Sequence, residues 1–167
     1  MTKTFQQFLE DLGARESGGN YKALNEYGYA GKYQMGEAAL IDSGYYKKTT
    51  RRYNNDWCGE FTGKDGVNSL QDFLNNPQAQ ENAQIIFKKK QWSYLKAVGA
   101  AKYLGRIING YEITPSGLLA GAHLKGAGSV IEYLKSNGAN IGKDAFGTSV
   151  ESYMKKFAGY DVKIITG

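Results

Sequence analysis

Glu16 is the residue of this sequence best placed to act as a general acid. It stands near the end of an amphipathic segment, and Ser17, Gly18 and Gly19 follow it with side chains small enough to admit a bulky ligand. A general acid must hold its proton near neutral pH, and both burial and the negative potential of a helix C-terminus favour a protonated carboxyl group. The alternative for such a glutamate is an ordinary surface position in the last turn of a helix.

A second polar and aromatic motif, Gly31-Lys32-Tyr33-Gln34, follows after a short loop. The Gln34 amide offers both a donor and an acceptor, which suits it to bind an amide group of a ligand or to orient Glu16. Its alternative role is to cap the helix that follows. Tyr33 offers a flat ring face with a hydroxyl at its rim, and its alternative role is packing in the core.

The spacing of these two motifs resembles that of a known superfamily. Gly31 lies 15 residues after Glu16, and Gln34 lies 18 residues after it. In the goose-type lysozyme and soluble lytic transglycosylase superfamily, a Glu-Ser pair likewise ends a helix and a Gly-x-x-Gln motif follows at about this distance. The third motif of that superfamily, Ala-Tyr-Asn-Ala-Gly, is matched only in part by residues 122–126, where His123 replaces the tyrosine and Leu124 the asparagine.

The resemblance implies a mainly α, α+β lysozyme-like fold, in which a helical bundle surrounds a cleft. It also implies a muramidase that cleaves the β-1,4 bond between N-acetylmuramic acid and N-acetylglucosamine in the glycan strands of peptidoglycan. Glu16 would be the catalytic acid, and the residues expected to bind substrate are Ser17, Tyr33, Gln34 and His123. For His123 the alternative is a buried histidine whose hydrogen bonds are satisfied within the protein.

The position of a second carboxylate is the main question that the motifs leave open. An inverting glycosidase needs a base about 6.5–9.5 Å from the acid, and a retaining one needs a nucleophile at about 5–5.5 Å. Asp56 and Glu60 are the first candidates, because they lie in an aromatic, turn-rich segment that resembles the small hairpin beside a lysozyme cleft; Glu37 and Asp42 come next. The partial third motif favours hydrolysis.

Two alternatives to a hydrolase stay open. A lytic transglycosylase would cut the same bond without a second carboxylate, because the 6-hydroxyl of the substrate closes on the anomeric carbon to give a 1,6-anhydro product. A non-catalytic glycan-binding module on the same scaffold is the other alternative, and the presence of Glu16 among small neighbours disfavours it.

The hydrophobic pattern predicts a mostly helical chain. Apolar residues recur at helical spacing from Phe5 to Leu12, with a Thr4-x-x-Gln7 capping box before them and a stop at Gly18-Gly19. Residues 45–66 are rich in aromatic and β-branched residues and predict a small β-hairpin or a long ordered loop. Further helices are predicted over residues 37–43, 67–74, 77–98, 103–108, 115–122 and 130–134, with a last one capped by Thr148 and Glu151.

Composition and charge limit the class of protein. The 167 residues predict a single domain over residues 1–167, and the net charge of +5 favours a polyanionic partner. Nucleic acid and an anionic cell-wall polymer are both candidates; no nucleic-acid motif stands out, so a nucleic-acid binder is supported by charge alone. We interpret Lys88-Lys89-Lys90 as a solvated helix face. Cys58 is the only cysteine and His123 the only histidine, so neither a disulfide, a metal site nor a cofactor is expected.

The location of the protein is a further expectation. No apolar run is long enough to span a membrane, and the N-terminal residues lack the apolar core of a signal peptide. We therefore expect a monomer that is made in the cytoplasm and reaches the cell wall by release or dedicated export, as phage endolysins and secreted wall-degrading effectors do. In the effector setting, an immunity or inhibitor protein would be a further partner.

Overall fold

The computed structural model of the chain describes residues 2–50, 52–144 and 146–167. Helix accounts for 51% of the chain and strand for 9%, and two small antiparallel hairpins are present. The predicted mainly α, α+β fold class is therefore confirmed. Residues group into two compact units: residues 10–90 form one, and residues 91–167 with the N-terminal residues up to Leu9 form the other.

The unit of residues 10–90 holds both of the first two motifs. Its boundaries fall within helices α1 and α4. The hairpin lies inside the segment predicted to be β-prone, and Tyr46 pairs with Phe61 while Lys47 pairs with Glu60. The elements in chain order are α1 (Phe5–Ser17), α2 (Glu37–Asp42), β1 (Tyr46–Lys47), β2 (Glu60–Phe61), α3 (Leu70–Leu74) and α4 (Pro77–Ala97).

Helix α1 begins and ends where the sequence predicts. The Thr4 hydroxyl accepts a hydrogen bond from the Gln7 backbone N–H at 3.1 Å, and the Gln7 side chain accepts one from the Thr4 N–H at 2.7 Å. This reciprocal capping box satisfies two N–H groups that no helical carbonyl reaches. At the other end, Gly18 and Gly19 adopt φ values of +68° and +80°, which stop the helix directly after Ser17.

The short hairpin is held by an aromatic cluster rather than by its two-residue strands. The Tyr46 ring contacts the rings of Trp57 and Phe61 with centroid distances of 5.2 and 4.9 Å. Its hydroxyl accepts the Gly59 N–H at 2.5 Å and donates to Glu37 Oε2 at 2.8 Å. An isolated two-stranded hairpin is only marginally stable in water. The ring contacts and the hydrogen bonds of the Tyr46 hydroxyl therefore stabilise this hairpin more than its few backbone hydrogen bonds between strands do.

The other unit contains a second hairpin, in a segment that the sequence analysis assigned to a helix. Strands β3 (Ile107–Ile108) and β4 (Tyr111–Glu112) pair there, so the prediction of a helix over residues 103–108 is wrong. Asn109 and Gly110 join the strands with φ values of +50° and +85°. Two residues with positive φ form the tight turn that the twist of paired strands favours, and Asn-Gly is its strongest sequence signal.

Three helices follow: α5 (Pro115–Lys135), α6 (Val150–Lys156) and α7 (Lys163–Thr166). Helix α5 begins as predicted, because Thr114 caps it by accepting the Gly117 N–H at 3.2 Å. The two helices predicted over residues 115–122 and 130–134 lie on either side of a kink in α5, where Lys125 and Gly126 depart from helical geometry. Helix α6 is capped by Ser149, which accepts the Ser152 N–H at 3.0 Å, so the predicted cap at Thr148 is one residue too early.

Candidate functional site

Ser17 joins the first motif to the second. Its hydroxyl donates to the Lys32 carbonyl oxygen at 2.7 Å and accepts the Asn20 N–H at 3.0 Å. The contact fixes the last turn of α1, including the half-buried Glu16, against the Gly31–Gln34 turn. Sequence analysis assigned Ser17 to substrate binding, and the structure gives its hydroxyl this positioning role within the protein.

The turn of the second motif has a strained backbone. Ala30 and Met35 pair across it with backbone hydrogen bonds of 3.0 and 2.8 Å, and Gln34 adopts a φ of +51°. Residues other than glycine rarely adopt this backbone conformation, and such backbone strain is concentrated at functional sites. The Gln34 Nε2 atom donates to the Gly31 carbonyl at 2.9 Å. Since the Gln34 amide oxygen bonds no described residue, it is the group available to a ligand.

Gly31 is required where the turn lies against α4. Its φ is +79°, and a Cβ atom there would lie 2.3 Å from Gln80 Oε1. Gln80 has no room to withdraw: it is buried, accepts the Lys32 N–H at 2.9 Å and donates to the carbonyls of Tyr21 and Phe73 at 2.8 Å each. The turn is thus positioned by a buried amide of α4.

We expect Gly31→Ala to lower the free energy of unfolding by about 2–4 kcal/mol, because it combines left-handed backbone strain with the loss of buried hydrogen bonds to Gln80. Gly18→Ala is the matched control: its φ is +68° but its Cβ would meet no atom within 4 Å, so about 1 kcal/mol is expected from strain alone. Urea unfolding measures both. Equal losses in the two variants would contradict the packing argument.

The structure places Tyr33 in the core, whereas the sequence analysis predicted that it binds substrate. Its side chain is only 1% exposed, and its hydroxyl donates to Glu81 Oε1 at 2.5 Å. A ring so deeply buried has no face to offer to a sugar. The structure therefore assigns Tyr33 the core-packing role that the sequence analysis gave as its alternative.

A cluster of charged side chains surrounds the buried Lys32 of the second motif. The Lys32 amine bonds Glu10 Oε1 of α1 at 3.0 Å and Glu81 Oε2 of α4 at 2.9 Å, and the Tyr21 hydroxyl donates to Glu81 at 2.6 Å. Burial alone would lower the pKa of Lys32, but the hydrogen bonds to Glu81 and Glu10 raise it above its ordinary value. The cluster fixes α1, the turn and α4 to one another. Nothing in the local sequence around Glu81 signals this role.

Helix α4 carries a buried polar face that sequence analysis missed. Gln80, Gln84 and Lys88 follow one another at four-residue spacing, and each is at most 1% exposed. Both amide atoms of Gln84 lack a hydrogen-bond partner. Lys89 and Lys90 are exposed. The prediction of a solvated Lys88-Lys89-Lys90 face is therefore wrong for Lys88, because the helical repeat turns this lysine inwards and the next two outwards.

Lys88 interacts electrostatically with Glu16. Complete burial holds the pKa of the Lys88 ammonium well below its usual range, and the negative charge of Glu16 opposes that shift. The charge of the candidate acid thus acts on a buried lysine of the same unit, on the helix that also carries Gln80 and Glu81. The spacing of charges along the sequence gave no sign of this interaction.

The hairpin segment contains the two preferred second carboxylates. A cavity of about 620 Å³ is lined by residues that include Lys48, Asp56 and Glu60. Asp56 Oδ1 accepts from Lys48 Nζ at 2.7 Å and from the Cys58 N–H at 3.0 Å, and these bonds lower the pKa of Asp56 to about 2. Asp56 therefore stays ionised at neutral pH, as a base or nucleophile must. Glu60 is exposed and faces Lys47 at 3.5 Å.

Glu37, a lower-ranked candidate, is a structural carboxylate. It is fully buried and accepts hydrogen bonds from the Tyr46 hydroxyl at 2.8 Å, from Lys48 Nζ at 3.0 Å and from the Asn55 N–H at 2.6 Å. A carboxylate enclosed in this way cannot activate a water molecule. Asp42, the other lower-ranked candidate, is half-buried at the end of α2.

His123 lies in the other unit, close to a break in α5. The residue is half-buried, and the helix is interrupted just after it, where Lys125 and Gly126 depart from helical geometry with φ values of −144° and +83°. The partially matched third motif therefore spans a helix break. Its role in binding stays a prediction.

Comparison with known proteins gives no family assignment. No protein-family model, curated protein or solved structure matches the chain. In the described part of the chain, no three or more His, Cys, Asp and Glu side chains come together as a metal site would require. Nor is any helix of residues 2–50, 52–144 or 146–167 both long and apolar enough to cross a membrane.

Proposed function

We propose that the chain is a peptidoglycan muramidase with Glu16 as its general acid. The observation that carries the proposal is the Ser17–Lys32 hydrogen bond, which joins the motif containing Glu16 to the motif containing Gln34. These are the two motifs whose spacing resembles that of goose-type lysozymes and lytic transglycosylases. The available amide oxygen of Gln34 suits the N–H of an N-acetyl group, which both sugars of peptidoglycan carry.

In this proposal Glu16 protonates the glycosidic oxygen as the bond to the leaving sugar breaks. Hydrolysis then needs an ionised carboxylate to activate water or to attack the anomeric carbon. Asp56 is the leading candidate for that role, because its pKa of about 2 keeps it charged and only its Oδ1 atom is occupied by Lys48 and Cys58. Glu60 is the second candidate, since it lines the same cavity.

A lytic transglycosylase is the second candidate function. It is favoured by the enclosure of Glu37 and by the ion pair that holds Asp56 to Lys48, because both reduce the supply of carboxylates open to water. In that reaction Glu16 would first act as the acid and then accept the proton of the 6-hydroxyl of the muramic acid residue.

Mass spectrometry of muropeptides released from purified peptidoglycan tests the proposal. Reducing ends mean hydrolysis, 1,6-anhydro ends mean transglycosylation, and no release by the folded protein overturns both in favour of a glycan-binding module. For a hydrolase using Asp56, we expect Asp56→Asn to lower the rate at least about 10²-fold and Glu60→Gln to change it little. The reverse order would assign the role to Glu60, and near-normal rates in both with anhydro products would identify the transglycosylase.

Binding to cell walls should weaken as salt is added. A protein of net charge +5 meets an anionic wall polymer through charges that are screened over about 8 Å at physiological ionic strength. Sedimentation with insoluble walls at 20 mM and 500 mM salt measures the effect, and inactive Glu16→Gln protein keeps the walls intact. If binding does not change over this range of salt concentration, the net positive charge does not contribute to wall binding.

Cell-wall glycan is thus the proposed partner, and the proposed setting is a phage endolysin or an exported effector acting outside the cytoplasm. An effector would require an immunity or inhibitor protein in the producing cell. No nucleic acid, cofactor or metal has a place in the proposed reaction, and a monomer suffices for it.

A further inference from the structure

The hairpin of strands β1 and β2 borders a second cavity, which has a volume of about 470 Å³. Trp57 and Phe61 line this cavity together with Glu60 and Asn68. Cavities of roughly 300–1,000 Å³ that combine aromatic walls with a few polar groups are typical of sites for small ligands. Neither aromatic residue has a role in the proposed proton transfer, so the cavity calls for a function of its own.

The two aromatic rings of this cavity are held in a nearly parallel arrangement. Their centroids lie 5.9 Å apart and their planes differ by 19°. The buried ring of Tyr46 packs at a steep angle against both, and Trp57 Nε1 donates to the Gly28 carbonyl oxygen at 2.9 Å. Trp57 and Phe61 are themselves only half-buried. The cavity therefore offers accessible aromatic surface whose position is fixed before any ligand binds.

The backbone of Trp57 is strained. Its φ of +59° lies in the left-handed region, which is a rare conformation for a bulky residue. Such strain persists only where the surrounding structure holds it, and it is concentrated at active sites and ligand-binding sites. Glycine would relieve the strain but would not supply the ring that lines the cavity. We therefore relate the strained backbone to the placement of the indole ring.

Two polar side chains bring hydrogen-bond acceptors to the same cavity. The Asn68 amide donates from Nδ2 to the Gly66 carbonyl oxygen at 3.3 Å, and its oxygen bonds no described residue. The exposed Glu60 carboxylate faces the exposed Lys47 amine at 3.5 Å, which leaves it lone pairs for further donors. A ligand that suits this lining has an apolar face for the rings and donor groups at its edge.

A sugar ring has both of these features. The faces of a pyranose carry C–H groups that pack against the electron-rich faces of aromatic rings, and its rim carries hydroxyl groups that donate hydrogen bonds. The cavity also shares Gly59 and Glu60 with the larger cavity that contains Asp56. Because the two cavities adjoin, successive units of one glycan strand can occupy both.

We propose that the cavity lined by Trp57 and Phe61 is a sugar-binding subsite, which holds one unit of a glycan strand next to the Asp56 cavity. The two rings pack against the face of the sugar, and Asn68 and Glu60 accept hydrogen bonds from its hydroxyl groups. The identity of the strand as peptidoglycan rests on the proposed function, whereas the binding of a sugar ring does not. Glu60→Gln keeps an acceptor in the cavity, so the small effect expected for that variant stands.

The test is a binding titration followed by NMR. The sequence has two tryptophans, so two indole N–H signals are expected, and the one that Trp57→Phe removes belongs to Trp57. The probe is chitotriose, a soluble trimer of β-1,4-linked N-acetylglucosamine, added to Glu16→Gln protein so that it stays intact. We expect the Trp57 signal to shift until it saturates and the signal of the buried Trp92 to stay in place. A Trp57 signal that does not move up to the solubility limit of the trimer overturns the inference.

Two further variants test the side chains that line the cavity. Phe61→Leu keeps apolar packing but removes a flat ring, and Asn68→Ala removes an acceptor without touching the rings. Each should raise the Kd of the trimer by about 3- to 10-fold, the usual effect of losing one aromatic contact or one hydrogen bond. Tyr53→Leu is the matched control, because Tyr53 is an exposed aromatic residue of the same loop that lines neither cavity.

The backbone amide signals in the same spectra show whether each variant is folded. If Phe61→Leu and Asn68→Ala both bind the trimer as tightly as Tyr53→Leu does, the inference is overturned. Should Phe61→Leu fail to fold, Asn68→Ala alone decides. A Trp57 signal that responds to the free stem pentapeptide of peptidoglycan but not to the trimer would assign the cavity to a peptide and overturn the inference as well.

The outcome is independent of the test for wall cleavage. If the trimer shifts the Trp57 signal but wild-type protein releases no muropeptides, the sugar subsite stands and the proposed muramidase fails. If muropeptides are released while the trimer leaves Trp57 unchanged, the proposed function stands and the subsite is overturned.

Discussion

Glu16→Gln is expected to lower the rate of wall cleavage by at least about 10²-fold, the usual loss when a general acid is removed. Glutamine is nearly isosteric with glutamate but has no carboxylic proton to give to the glycosidic oxygen. Because Glu16 interacts with the buried Lys88, the variant also removes a compensating charge, so its fold should be verified by circular dichroism.

Loss of turbidity of a cell-wall suspension measures this rate. Glu26→Gln is the matched control, since it makes the same chemical change at an exposed glutamate of the same unit and should keep near-wild-type activity. A folded Glu16→Gln protein that cleaves walls within a few-fold of the wild-type rate would refute the central assignment.

Local signals in the sequence predicted the elements that carry the first two motifs. The Thr4–Gln7 capping box and the Gly18-Gly19 stop act through neighbouring backbone groups, so they could be recognised without knowledge of the fold. The same is true of the hairpin within residues 45–66. Asn109-Gly110 is a local signal too, and it was outweighed by the helical spacing of the apolar residues around Ile107.

Residues whose roles depend on tertiary contacts could not be predicted in this way. The sequence has three consecutive lysines at residues 88–90. Only Lys88 is buried, because it lies on the side of α4 that faces the interior of the protein. The buried Tyr33 donates its hydroxyl hydrogen bond to Glu81, which lies 48 residues later in the chain. A single sequence shows neither the phase of a helix against its neighbours nor such distant partners.

The candidate second carboxylates illustrate the same limit of local signals. Asp56, Glu60 and Glu37 are equally acidic in the sequence, and all lie in or near the aromatic segment. Folding separates them: Glu37 is enclosed by Tyr46, Lys48 and Asn55, Asp56 shares Lys48 but keeps an oxygen available, and Glu60 faces solvent. Lys48 thus connects the candidate catalytic carboxylate to the structural one.

Lys48→Met should lower the melting temperature by about 10 °C, because it leaves the buried Glu37 carboxylate without its cation, and breaking a buried ion pair is strongly destabilising. The Lys48 amine also bonds the Arg52 carbonyl and the side chains of Asn54 and Asp56, so the variant loosens the whole loop of the hairpin. Differential scanning calorimetry measures the shift.

Lys47→Met is the matched control at the adjacent position, the last residue of β1. Lys47 and Glu60 form an ion pair with side chains 68% and 77% exposed, and pairs of this kind contribute little, so a shift below about 3 °C is expected. The double variant Lys48→Met/Glu37→Gln removes both charges and should recover part of the loss, since glutamine can still accept the Tyr46 hydrogen bond without burying an uncompensated charge. If the double variant were less stable than Lys48→Met alone, the hydrogen bonds of Glu37 rather than its charge pairing would hold the hairpin.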